Sequence, residues 1–199
     1  TYISIRKCPD QIIEILLTYE NTEESYYTIR GLDLKDPIEQ AARFIYLNQT
    51  SYNGLYRVNS SGNYNVPYGH RKNWHYDVKR ILSVSEKLQK SNIKCGEFEC
   101  KKNKIKRHDL VFLDPPYTVS HNDNGFIEYN KHLFSLDDQE RLCRFIEYIK
   151  SKDAYYILTN AAHPKIKEIF GKMDQPIELL RHSLIGGKNS ERKKISEYI

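Results

Sequence analysis

The chain has 199 residues, of which 39% are hydrophobic and 29% charged, and a formal net charge of +5. That length supports one sizeable core, or one core with a small appended module. No apolar run approaches the ~20 residues that a membrane-spanning helix needs, and no basic-then-apolar opening resembles a secretory signal. These features exclude a membrane-spanning helix and predict a soluble, cytoplasmic protein.

Thr1 and the opening YISIRKCPDQIIEILL read like the middle of an element, which predicts that an N-terminal portion is absent. Asp10 is placed to cap a helix with Ile12, Ile13, Leu16 and Leu17 on one face. Asp36-Pro37 is a clearer helix start, with Asp as N-cap, Pro at the first helical position, and Ile38, Ala41, Ala42 and Ile45 at helical spacing. From residue 48 to 73 the pattern breaks into asparagine, glycine and interleaved aromatic residues. Asn53-Gly54 and Ser61-Gly62 are turn signals, so this stretch is read as loops and a hairpin.

Helical spacing resumes at Val78, Ile81, Leu82, Ser85 and Leu88. IKCGEFEC reads as a strand, and DLVFL, ending at Leu113, as a central parallel strand covered on both faces. Ser135 to Asp138 resembles a capping box that opens a helix with Leu142, Phe145, Ile146 and Ile149 on its buried side. AYYILTN reads as another buried strand, a short helix is expected at 165–170, and IELLRHSL is expected to pair with KKISEYI as a closing hairpin. Strand, helix, strand, helix predicts an α/β sheet that is mostly parallel.

Cys8, Cys95, Cys100 and Cys143 form neither a CxxC pair nor a Cys/His cluster with zinc spacing, so they are read as free thiols. No metal is expected. Lys and Arg concentrate in residues 70–108 and 181–199, while the other segments are net acidic. Such segregation suits a polyanion along one face.

In an α/β sheet, ligands bind just beyond the carboxyl ends of the strands. The DLVFL strand delivers Asp114-Pro115-Pro116-Tyr117 at such an end. Prolines keep that turn rigid, so one carboxylate, exposed carbonyls and an aromatic face are held where a planar amine can meet them. DPPY resembles the catalytic motif of S-adenosylmethionine-dependent DNA adenine-N6 methyltransferases. The segment AARFIYLNQTSYNGLYRVNSSGNYNVPYGHRK resembles the target-recognition region of their Dam-like, D12-class branch, through its NGLxRxN and YNVPxG words. FIEYNKHLFSLDDQERL, the LTN at 158–160 and the closing SERKKISEYI extend the similarity from about residue 24 onward.

The resemblance implies a Rossmann-like methyltransferase fold into which a small helical and β-hairpin target-recognition region is inserted. Residues 1–30 would belong to the methyltransferase domain, 31–92 to target recognition and 93–199 to the catalytic core. The family also carries an FxGxG cofactor loop, which is absent from this sequence. S-adenosylmethionine is the implied cofactor, and double-stranded DNA the implied substrate. A cognate restriction endonuclease acting on the same site is a partner that the resemblance allows.

Adenine N6 is a poor nucleophile because its lone pair is delocalised into the ring. Asp114 and the Pro115 carbonyl, each accepting one N–H, would stabilise the positive charge that grows there, while Pro116 closes the turn. By resemblance Asp114 also contacts the cofactor. The adenine must leave the duplex at a cost of a few kcal/mol, and Tyr117 stacking on it would recover ~1–3 kcal/mol. Arg57 is the first candidate for reading guanine. Asn53, Leu55, Asn59, Pro67 and Arg71 match positions that the family uses around the target, although Asn59 and Asn65 could equally be turn residues. Phe126 and Tyr129 are candidates for walling the base pocket, and Lys193 and Lys194 for phosphate contacts.

Enzymes acting on glutamine resemble NPPY and those acting on cytosine N4 more often SPPY, so Asp114 argues for adenine. Two rival readings stay open: an RNA adenine methyltransferase, and a DNA-binding specificity module without catalysis. GATC is the leading target sequence, in a Dam-like or restriction-modification role.

Overall fold

The computed structural model describes residues 1–71, 75–118, 134–182 and 194–199, with 181–182 and 194–195 described through their backbone alone. The chain divides into two units, Thr1–Cys95 and Gly96–Ile199.

Among its described residues the first unit has five α-helices: α1 (Tyr2–Lys7), α2 (Pro9–Thr18), α3 (Glu23–Gly31), α4 (Pro37–Thr50) and α5 (Val78–Gln89). Asp36 caps α4 as its sequence predicts, its Oδ1 accepting from the N–H groups of Ile38 at 2.8 Å and Glu39 at 3.0 Å. The start of α2 differs from expectation. Cys8 is the N-cap, with no side-chain cap bond, and Pro9 occupies the first turn. Asp10 therefore lies inside the first turn, where its charge suits the positive end of the helix dipole. Ile12, Ile13 and Leu16 are buried, but Leu17 is exposed, because the helix presents a narrower face than the apolar run suggests.

Tyrosines fill much of this core. Tyr26 and Tyr46 are fully buried beside Ile12, Leu16, Ala42 and Leu47. Their rings can be buried because their hydroxyls find carbonyls: Tyr26 donates to Val66 O and Tyr46 to Glu20 O, both at 2.8 Å. Burial pushes both phenols above the usual tyrosine pKa.

Between α4 and α5 the expected turns appear. Asn53 (φ 53°) and Gly54 (φ 65°) take the left-handed conformation, and Leu55 N–H donates to Tyr52 O at 3.2 Å. Two left-handed residues in succession are what a type I′ turn demands, hence Asn-Gly. A hairpin follows, bridged antiparallel at Val58↔Tyr64. A second bridge joins Ser51 to Tyr68 and brings Gly69 N–H onto Thr50 O at 2.8 Å.

The second unit has a parallel pair, β1 (Leu110–Leu113) beside β2 (Tyr155–Leu158), in register from Leu110↔Tyr155 to Leu113↔Leu158. The connection passes through α6 (Leu136–Ser151), whose Leu142, Phe145, Ile146 and Ile149 form the core with Leu113, Val111, Tyr156 and Leu158. Its capping box is complete: Ser135 Oγ accepts from Asp138 N–H at 3.1 Å, and Asp138 Oδ2 accepts from Ser135 N–H at 2.9 Å. Those contacts hold the Asp138 carboxyl below its ordinary pKa.

Expectations for two strands are corrected. β1 is covered on one face only among the described residues, since Leu110 and Phe112 are both 62% exposed and alternate with the packed Val111 and Leu113. IKCGEFEC is not a strand. Phe98–Lys104 forms a 3-10 helix, in which only Phe98 packs on the core while Cys95 and Cys100 remain exposed. A run carrying Lys101, Lys102 and Lys104 has little to bury on a strand face.

After β2 come the short β3 (Asn160–Ala161), α7 (Pro164–Phe170) and the antiparallel β4 (Glu178–His182) and β5 (Lys194–Tyr198), in the sheet order β3-β5-β4. β4 and β5 are the closing pair expected from the sequence. The architecture is mixed α/β.

Candidate active site

Because β1 and β2 are parallel and Leu113 faces Leu158, the residue that follows each strand lies beside its counterpart. Thr159 N–H continues the ladder by donating to Leu113 O at 3.0 Å. Thr159 Oγ1 then donates to Asp114 Oδ1 at 2.6 Å. Asp114 is exposed, and Pro115 and Tyr117 are half-buried. The carboxylate thus stands at the mouth of the strand end with one of its oxygens tied.

Behind this turn runs a chain of buried polar groups. Thr118, Gln139 and Asn160 are 2%, 0% and 1% exposed. Thr118 Oγ1 donates to Phe134 O at 2.8 Å and accepts from Gln139 Nε2 at 3.0 Å. Gln139 Oε1 accepts from Asn160 Nδ2 at 2.9 Å, and Asn160 Oδ1 from Ala161 N–H at 2.9 Å. Each of these polar side chains is therefore satisfied, which makes a buried network rigid.

A cavity of about 440 Å³ opens beside Asp114, Pro115 and Pro116. Phe98, Phe112 and Phe134 supply its apolar walls, and Glu97, Asp138 and Arg141 its charged side. The Arg141 guanidinium lies 4.5 Å from the Phe98 ring centre. It pairs with Glu97 and, at 3.3 Å, with Asp138. Volume and lining suit a ligand with a flat ring and several polar groups.

The residues expected to read DNA lie in the first unit. Asn53 and Leu55 belong to the left-handed turn. Pro67 adjoins it, since its carbonyl accepts from Tyr52 N–H at 2.9 Å. A Cβ placed on Gly54 would stand 3.4 Å from Arg71 Nη2, so this guanidinium borders the same turn. Arg57 and Asn59 sit on the hairpin instead. Arg57 Nε donates to Asn65 Oδ1 at 2.8 Å and its Nη2 to Asn65 O at 3.2 Å. Asn59 Oδ1 accepts from the N–H groups of Ser61 at 3.1 Å and Asn63 at 2.9 Å, closing the hairpin tip. Leu55 is half-buried, and Asn53, Arg57, Asn59, Pro67 and Arg71 are exposed. Phe126, Tyr129 and Lys193 lie outside the described residues, as does the side chain of Lys194.

Residues 1–181 match the family model for the D12 class N6 adenine-specific DNA methyltransferases. The chain belongs to that class. A type II methyltransferase of Lactococcus lactis subsp. cremoris, M1.LlaDCHI, is 35% identical across 100% of this chain and 73% of its own length. M.MjaIII, a type II methyltransferase of Methanocaldococcus jannaschii, is 33% identical across 96% of this chain and 72% of itself. The retron Ec67 DNA adenine methylase of Escherichia coli is 32% identical across 93% of this chain and 64% of itself. Membership makes this D12-class protein an adenine-specific DNA methyltransferase, and methyltransferases generally draw their methyl group from S-adenosylmethionine. Among the described residues, no helix is long and apolar enough to cross a membrane and no group of three metal-ligating side chains gathers.

Several contacts around the Asp114-Pro115-Pro116-Tyr117 turn escape a reading of the sequence. Thr159, Gln139 and Asn160 meet Asp114 and Thr118 only through the parallel register and the packing of α6. Glu97 and Phe98 are hidden inside a segment that reads as a strand. A signal existed for Thr159 and Asn160, since LTN follows a strand parallel to the one ending in DPPY.

Proposed function

We propose that this D12-class enzyme methylates N6 of an adenine flipped out of duplex DNA, with Asp114 and Pro115 at the reacting amine. The observation that carries this reading is the Asp114 carboxylate at the end of β1, with Oδ1 tied to Thr159. Its Oδ2 and the Pro115 carbonyl can then accept the two amine hydrogens. Positive charge grows on N6 during the reaction, and preorganised acceptors lower its energy. Removing one such contact is expected to cost ~10²–10³ in rate, by analogy with an oxyanion-hole donor. Pro116 holds the turn, and Tyr117 supplies the face on which the flipped ring stacks, worth ~1–3 kcal/mol.

The cavity beside the turn fits the implied cofactor. Phe98 and Phe112 offer ring faces for a purine, and Glu97, Asp138 and Asp114 offer carboxylates to hydroxyl and ammonium groups. S-adenosylmethionine, when bound, supplies a methyl group made electrophilic by its sulfonium sulfur. Asp114 would serve both pockets, orienting the amine and bordering the cofactor. The parallel pair with a helix across one face supports a Rossmann-like catalytic core over 93–199.

Target reading falls to residues 31–92. Arg57 has its Nε side tied to Asn65, which leaves its Nη1 side for a guanine edge. Asn53, Leu55 and Pro67 would press against the base pairs beside the flipped adenine, and Arg71 would grip phosphate. Asn59 would act by holding the hairpin tip in shape. GATC is the proposed target, in a Dam-like role or beside a cognate endonuclease, in a prokaryotic cytoplasm.

Tritium transfer from labelled S-adenosylmethionine to unmethylated duplex DNA, with an Asp114→Ala variant beside the native protein, tests the reaction. Label on adenine N6 that vanishes in the variant is expected. DNA binding without any label would instead favour a specificity module, and label on RNA alone would move the substrate. Digestion of modified plasmid with enzymes sensitive to GATC methylation tests the site, and an unchanged pattern would sink GATC.

A further inference from the structure

The geometry points to Thr159 as a positioning residue for catalysis, which fixes the Asp114 carboxylate so that one chosen oxygen meets the adenine amine. This rests on the proposed role of Asp114 and adds a group outside the DPPY turn to the machinery.

A free aspartate at the end of a strand rotates about χ1 and χ2, and its two oxygens exchange. With the Thr159 hydroxyl donating at 2.6 Å, Oδ1 has a partner and the carboxylate plane is set. Charge-assisted O–H···O⁻ contacts of this length are among the stronger hydrogen bonds in proteins. A side chain can orient another only if it is itself immobile, and Thr159 is held on two sides. Its own N–H is bonded to Leu113 O at 3.0 Å, the residue directly before Asp114. The next residue, Asn160, is 1% exposed and bonded through both ends of its amide, to Gln139 and to Ala161 N–H. Through Gln139 the same strand end also reaches Thr118, directly after Tyr117. Residues 159 and 160 therefore hold the catalytic turn at both of its ends. A β-branched residue at 159 adds stiffness, since few χ1 states are open to it.

Thr159→Val keeps the shape and removes the donor, and Thr159→Ser keeps the donor. The assays are steady-state and single-turnover methylation of an unmethylated duplex oligonucleotide with labelled S-adenosylmethionine, and binding of the same duplex by anisotropy. Fluorescence of 2-aminopurine at the target position reads flipping separately. For Thr159→Val we expect kcat and the single-turnover rate to fall about 10–100-fold, the range seen when a partner that orients a primary group is lost. KM for DNA, duplex affinity and the flipping signal should change by less than about 3-fold, and Thr159→Ser should restore kcat to within a similar factor. A purely structural residue would instead move binding and melting temperature along with rate. Thr159→Ala serves as a second donor-free variant should the valine disturb folding. Full kcat in a folded donor-free variant, with Asp114→Ala inactive, would overturn the role of Thr159 and spare that of Asp114. Methylation by Asp114→Ala would overturn both.

Discussion

Replacing Gln139 by leucine would test the buried network in its most quantitative aspect. Gln139 is fully buried and makes two side-chain bonds, donating to Thr118 Oγ1 at 3.0 Å and accepting from Asn160 Nδ2 at 2.9 Å. Leucine has a similar volume, so the cavity term is small and the loss lies in the orphaned partners. Thr118 keeps an acceptor in Phe134 O, but the Asn160 amide loses the acceptor for its Nδ2 hydrogen in a place water does not reach. An unsatisfied buried donor costs ~1–3 kcal/mol, from which the added apolar surface of leucine subtracts part. A net loss of about 2 kcal/mol is expected, read as a shift of the denaturant midpoint at constant slope. Adding Asn160→Leu removes the orphan. The double variant should then lose clearly less than the two singles together, although Ala161 N–H gives up its acceptor, Asn160 Oδ1. A single-variant loss below about 0.5 kcal/mol, with no coupling between the two sites, would refute the network as a source of rigidity.

Gly69→Ala would place a Cβ 2.4 Å from Ser51 O and 2.9 Å from Thr50 O, so the Ser51↔Tyr68 bridge must open. Overpacking of that kind costs ~1–3 kcal/mol, and duplex binding should weaken with it; native stability and affinity in the variant would contradict the geometry. Asp138 has its pKa lowered, by the backbone and hydroxyl of Ser135 first and Arg141 last, below an ordinary value of 3.8. Its ionised form therefore adds stability that is fully present above that ordinary value and lost as pH falls through the lowered one. The stability gap between native protein and Asp138→Asn should be constant from neutral pH to about 5 and close below about 4, whereas a gap independent of pH would exclude the capping charge. Arg57→Ala should cost ~1–3 kcal/mol of discrimination at one base pair, and Asn65→Ala a part of that, because Asn65 holds the guanidinium. Competition binding with single-base variants measures both, and equal losses on all sequences would make Arg57 a phosphate contact.

What the sequence reveals of the fold follows from how local the cause is. The Asp36-Pro37 start of α4, the Ser135 capping box and the Asn53-Gly54 turn are each set by a few adjacent residues, and all three form as expected. The tyrosines of the first unit are less legible. A buried phenol usually needs a partner for its hydroxyl, and the partners of Tyr26 and Tyr46 lie 40 and 26 residues away. The strand reading of IKCGEFEC failed for a related reason. Alternating polarity marks a strand only if a neighbouring strand and a core share its faces, and Phe98 alone among these residues found a core.

The site divides along the same line. The Asp114-Pro115-Pro116-Tyr117 turn is legible because a rigid turn with a carboxylate is a four-residue property. Its supports could not be found in that way. Thr159 reaches Asp114 across 45 residues, and Gln139 reaches Thr118 across 21. The parallel register of β1 and β2 and the packing of α6 turn those separations into contacts. That register constrains more than the sheet. A one-residue slip would direct Thr159 away from the carboxylate and put its neighbours on the wrong faces. Packing of Val111, Leu113, Tyr156 and Leu158 against α6 forbids the slip. The hydrophobic core of the second unit is therefore also what aims the Asp114 carboxylate; with the proposed role of Asp114, a core substitution that loosens α6 should lower kcat before it lowers DNA affinity.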